Sequence, residues 1–65
     1  SEQVLIRMEA PFRQISIFNA TGTLVRHIRQ PALTEQVTVS QLPAGTYFVQ
    51  FEKDGAVWTT RFMKI

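Results

Sequence analysis

Along most of the chain apolar residues return at every second position, the period of a half-buried strand rather than the 3.6 of a helix. Val4, Ile6 and Met8 alternate with Leu5, Arg7 and Glu9. Pro11, which has no backbone donor, ends that run. Ile15 and Ile17 alternate with Gln14, Ser16 and Phe18; Leu24, Arg26 and Ile28 with Val25, His27 and Arg29; Val37 and Val39 with Gln36, Thr38 and Ser40. Between these runs stand turn residues. Asn19-Ala20-Thr21-Gly22 combines residues that tolerate positive φ, and Pro31-Ala32 opens a loop. Leu42-Pro43-Ala44-Gly45, with Pro second and Gly fourth, predicts a type I turn. The pattern predicts strands at about 4–9, 13–19, 23–29, 36–40, 45–52 and 57–64. It leaves room for no helix longer than one turn, at residues 30–35. Short strands with turn signals about every 8–12 residues predict an all-β fold, an antiparallel sandwich or a small barrel.

The last two strands carry enough information to set their own register. If Asp54-Gly55 is a two-residue type I′ turn, Lys53 faces Ala56. Phe51 then faces Trp58, Val49 faces Thr60 and Tyr47 faces Phe62. These six residues form an apolar face directed at the core, while Phe48, Gln50, Glu52, Val57, Thr59 and Arg61 face away. A three-residue loop with Gly55 in a bulge would move the pairing by one and set Trp58 and Phe62 beside Gln50 and Glu52. A one-residue slip exchanges the faces of a strand, so the pattern favours the two-residue turn.

With 65 residues the chain makes one domain, residues 1–65. A domain of this size buries only about 60% of its unfolded surface, so modest stability is expected. Cysteine is absent, which excludes a disulfide or a Cys-based zinc site as reinforcement. The net charge is +2, from seven Lys and Arg spread along the chain. Nucleic-acid binders cluster such charges on one face, so the scatter reads as solubility charge and argues against a nucleic-acid partner. No apolar run reaches the roughly 18 residues of a membrane span, so no direct membrane insertion is expected. Ser1-Glu2-Gln3 does not begin a signal peptide. The chain reads as a fragment of a larger secreted protein, with Lys64-Ile65 as its natural end.

Candidate chemistry is sparse. His27 is the single histidine; with Arg26 and Arg29 beside it, it reads as a surface position rather than a metal ligand. Glu2, Glu9, Glu35, Glu52 and Asp54 form no pair of the kind glycoside hydrolysis requires. Ser16 and Ser40 lack a partner base. Gly22, Gly45 and Gly55 stand too far apart for a phosphate loop. Asn19-Ala20-Thr21 matches a glycosylation sequon, but the turn accounts for Asn19. Phe48 and Arg61, opposite each other on the outer face, suggest a cation–π pair more than a base-stacking platform. No catalytic, cofactor-binding or metal-binding residue is expected. Val57, Met63 and Ile65, with Phe48, make the outer face more apolar than a solvated face needs, which suggests a docking surface or cover by an upstream segment. An open edge strand can also accept a partner strand or pair as a homodimer.

Several of these pieces form an ordered set. Ile15-Ser16-Ile17-Phe18-Asn19, Gly22-Thr23-Leu24-Val25, Val37-Thr38-Val39, Leu42-Pro43-Ala44-Gly45-Thr46-Tyr47-Phe48-Val49 and Arg61-Phe62-Met63-Lys64-Ile65 follow one another with family-like spacing. In this the chain resembles the C-terminal sorting domains of the type IX secretion system of Bacteroidetes. One departure is the lack of a Tyr-Pro-Asn-Pro segment before Val4, which bears on an upstream seventh strand. The resemblance implies a small antiparallel immunoglobulin-like β-sandwich of about six to seven strands. It implies a passive signal, recognised by the translocon for export of the parent protein from the periplasm across the outer membrane. A surface sortase often then removes the domain and attaches the cargo to the cell surface; some relatives keep it. The recognition residues expected are Arg61, Met63, Lys64 and Ile65, with the Pro43-Ala44-Gly45 turn holding the hairpin. The competing reading is an adhesion or carbohydrate-binding module, which would show a row of exposed aromatics; here only Phe48 and Phe18 look outward.

Overall fold

Every element of the computed structural model is a strand, in keeping with the period-two pattern; residues 3–8 and 10–65 are described. The strands are β1 (Gln3–Arg7), β2 (Gln14–Asn19), β3 (Leu24–Arg29), β4 (Thr34–Thr38), β5 (Gly45–Lys53) and β6 (Ala56–Lys64). They form two antiparallel sheets, one of four strands in the order β3-β2-β5-β6 and one of two, β1-β4. Glu2 and Glu9 lie outside the described residues.

The two sheets close on one cluster. Ile6, Met8, Val37 and Val39 come from the β1-β4 side and Ile15, Ile17, Tyr47 and Val49 from the larger sheet. Ile15 and Ile17 are completely buried, because β2 lies inside its sheet with the second sheet over it. The strand order matches the C′-C-F-G sheet and the B-E pair of an immunoglobulin sandwich. The remaining strands of that fold have no counterpart among the described residues.

The final hairpin has the register expected from its turn. Lys53 pairs with Ala56, Phe51 with Trp58, Val49 with Thr60 and Tyr47 with Phe62. Asp54 and Gly55 have φ of 52° and 81°, the pair of positive values that a type I′ turn demands and that matches strand twist.

Four expectations are corrected. No helical turn forms at residues 30–35, since Thr34 and Glu35 pair with Arg7 and Ile6. The fourth strand therefore runs two residues ahead of its expected place, 34–38 rather than 36–40, because β1 supplies ladder partners only there. On β3, Ile17 pairs with Arg26 but Phe18 with Leu24, so Val25 is an extra residue in a bulge. Strict alternation fails at that point: Val25 and Ile28 both pack on the core, and Leu24 is 51% exposed. The core face of the hairpin is also only partly covered. Two strands cannot roof four, so Phe51 and Phe62 are half-buried and Thr60 is exposed. Trp58 is 50% exposed, sheltered on its flank by Phe12, whose ring centroid lies 5.4 Å away at 73°.

Candidate recognition site

The segment Val39–Gly45 must turn the chain from one sheet into the other, and it does so with little backbone hydrogen bonding of its own. The hydrogen-bonded turn is Val39–Leu42, with Leu42 N donating to Val39 O at 3.0 Å. The turn expected at Leu42–Gly45 has no backbone hydrogen bond of its own. Instead, Leu42 buries its side chain in the core and its carbonyl accepts from Lys64 Nζ at 2.8 Å. The next carbonyl, Pro43 O, accepts from the Tyr47 hydroxyl. Gly45, at φ 148°, takes a conformation that side chains resist and delivers the chain straight into β5.

This is a tyrosine corner: a tyrosine near the start of a strand whose hydroxyl reaches back to backbone a few residues upstream. Tyr47 is 3% exposed and stacks on Phe62 at 5.4 Å and 18°. The ring thus holds β6 while its hydroxyl holds the corner. Lys64 closes the same end from the other strand. Its main chain pairs with Gly45 and its ammonium reaches the carbonyl three residues earlier.

The seven residues expected to carry recognition therefore fall into two groups in space. Pro43, Ala44, Gly45, Met63, Lys64 and Ile65 gather where β6 ends against the corner, with Gly45 opposite Lys64 and Thr46 opposite Met63. Arg61 lies further along β6, opposite Phe48. Met63 is 73% exposed and Ile65 fully so. Pro43, Ala44 and Arg61 are exposed, whereas Gly45 and Lys64 are half-buried. Two shallow grooves flank this end. One, of about 330 Å³, lies between the sheets and is lined by Val4, Val39, Phe62, Met63 and Ile65. The other, of about 220 Å³, lies between the corner and the Asn19–Thr21 turn.

The remaining candidates are used locally. Asn19 Oδ1 accepts from Thr21 N, Thr21 Oγ1 and Thr23 N at 3.1, 2.7 and 2.9 Å, so the turn occupies it. His27 is exposed, with Nε2 2.7 Å from Gln14 Oε1. Gln14 Nε2 donates to Glu52, and Glu35 accepts from Ala32 N. The cation–π pair expected between Phe48 and Arg61 does not form among the described residues; the ring contacts are Phe12–Phe51, Phe12–Trp58 and Tyr47–Phe62. Among the described residues no cluster of three His, Cys, Asp or Glu could hold a metal, and no helix is long and apolar enough to cross a membrane.

Sequence reasoning missed the Tyr47 hydroxyl and the anchoring of Lys64. Both had a signal. A tyrosine near the start of a strand that follows a corner between sheets is the tyrosine-corner pattern. Counting outward from Lys53 and Ala56 brings Lys64 opposite Gly45.

A family model for the secretion system C-terminal sorting domain matches residues 1–65, the whole chain. No curated protein and no solved structure matches significantly. The chain belongs to the family of type IX secretion C-terminal sorting domains. This is a family of sorting signals rather than enzymes, which engages the type IX machinery for export across the outer membrane, to the surface or to secretion.

Proposed function

We propose that the domain is a folded handle, gripped by the translocon at the end where β6 meets the Leu42–Gly45 corner. Met63 and Ile65 supply apolar contact and Arg61 supplies charge. Pro43, Ala44, Gly45 and Lys64 hold that surface in shape. The domain is one module, residues 1–65, of a larger secreted cargo, which crosses the periplasm before export. A surface sortase then removes the domain and attaches the cargo to the cell surface.

The observation that supports this most is the contact of Lys64 Nζ with Leu42 O. It ties the last strand to a corner distant in sequence and fixes a surface that carries exposed apolar side chains without chemistry of its own. Desolvating such side chains against a partner is favourable at about 25 cal/mol per Å². An isolated exposed Met and Ile do nothing for the stability of the free domain.

The test is a reporter directed to the periplasm and fused to residues 1–65 in cells with the type IX system. Removing residues 61–65 is expected to strand the reporter inside, and unchanged surface delivery overturns the reading. The size of the delivered reporter checks the sortase step: loss of the domain supports cleavage, and retention removes that step while leaving the handle intact.

A further inference from the structure

The larger sheet ends in an edge that is poorly protected. β6 is nine residues long and has β5 as its partner. Natural edges are usually short, kinked, or guarded by proline or charge. Ala56–Lys64 contains no proline, and its charges are Arg61 and Lys64, the second of which is drawn back onto Leu42 O.

The turn tells which backbone groups are available. Lys53 and Ala56 close a two-residue turn, so they exchange backbone hydrogen bonds, and the pairs alternate from there. Ala56, Trp58, Thr60, Phe62 and Lys64 direct their N–H and C=O groups to β5. The groups of Val57, Thr59, Arg61 and Met63 point away from the sheet.

We infer that this edge pairs with β6 of a second copy, antiparallel, about a two-fold axis through Thr60. In that register Thr59 and Arg61 of one copy exchange hydrogen bonds with Arg61 and Thr59 of the other, and Val57 does the same with Met63. On the core side Trp58 meets Phe62, covering the flank that the two-stranded sheet leaves open. On the outer side Val57 meets Met63, both exposed in the single chain. No like charges oppose each other. The neighbouring registers are worse: centring on Arg61 sets it against itself, and centring on Thr59 sets Arg61 against Val57. The strand is self-complementary about one residue, which is what an isologous contact needs and what favours a second copy over an unrelated strand. The result is a continuous eight-stranded sheet. The contact covers Arg61 and Met63, side chains that the export reading gives to the translocon, so the dimer and the gripped domain exclude each other; the dimer itself is tested without reference to export.

Thr59 tests the register. It is exposed and opposite Gln50 in its own sheet, so substitutions there leave the single domain intact. Thr59→Glu sets a carboxylate against Arg61 twice per dimer. Sedimentation equilibrium should show dimerisation tightened roughly twofold to thirtyfold, from two favourable cross-strand pairs, with the gain shrinking as salt is raised. Thr59→Arg should weaken it by a comparable factor. Thr59→Pro removes an outward N–H at an edge position that tolerates proline and should give monomer with an unchanged circular dichroism spectrum. A monomer at all concentrations up to millimolar overturns the proposal. So does a dimer that Thr59→Glu weakens or leaves unchanged, since either places the contact in another register or on another surface.

Discussion

The two ends of the β5-β6 hairpin are built from the same two strands and held in different ways. At the Asp54-Gly55 end the chain itself closes the ribbon, and two positive φ values are enough. At the other end the strands separate, one toward the corner and one to Ile65. Nothing covalent joins them there. Two side chains do that work instead, Tyr47 on Pro43 O and Lys64 on Leu42 O. The turn end carries Lys53, Asp54 and Gly55 at its tip, with Val57 and Trp58 about half exposed behind them. The tied end exposes Met63 and Ile65. In the proposed handle the most exposed apolar side chains, Met63 and Ile65, stand at the end whose shape is held by long-range contacts, so a partner that reads them also reads whether the domain has folded.

That contrast can be broken at either end. The largest loss of stability is expected from Tyr47→Phe, which keeps the ring and leaves the Pro43 carbonyl without its donor. Urea unfolding should show a loss of about 1.5 kcal/mol, the upper end of the net value of a hydrogen bond, since water can reach the carbonyl of exposed Pro43. Gly55→Ala comes next, at about 1 kcal/mol or more, because alanine resists the φ of 81° that the turn requires. Lys64→Met should cost about 1 kcal/mol, the net value of a hydrogen bond, since the methylene stem is retained. If Lys64→Met and Gly55→Ala are compared in the export assay at equal stability, only the first should impair delivery. Equal impairment would mean that loss of folding, not loss of the tied end, is what the machinery senses.

The hairpin was legible in the sequence and the corner was not, for a physical reason. Asp54-Gly55 is a local signal, and once a two-residue turn is assumed every pairing out to Gly45 and Lys64 follows by counting. The corner depends on groups distant in sequence. A Pro-Ala-Gly run suggests a local turn on propensity alone, but Lys64 takes the Leu42 carbonyl and the hydrogen-bonded turn falls at Val39–Leu42. The early strands were legible as existing, less so in their bounds. Val25 entered the core through a bulge that alternation cannot foresee, and the fourth strand was placed by the reach of β1. The half-exposure of Trp58 depends on how many strands face it, which no pattern within β6 records. Of the residues proposed for recognition, exposure of Arg61, Met63 and Ile65 followed from the register, while the half-buried anchoring of Lys64 did not.

The smallest effect on folding belongs to the residues with the largest expected effect on export. Met63→Ser with Ile65→Ser removes exposed apolar surface and should change stability by no more than about 0.5 kcal/mol. The most direct measurement is surface delivery of a reporter carrying this double substitution, read beside its urea midpoint. Delivery lost with the midpoint unchanged is the result the account predicts; delivery retained at the level of the unsubstituted domain would contradict it.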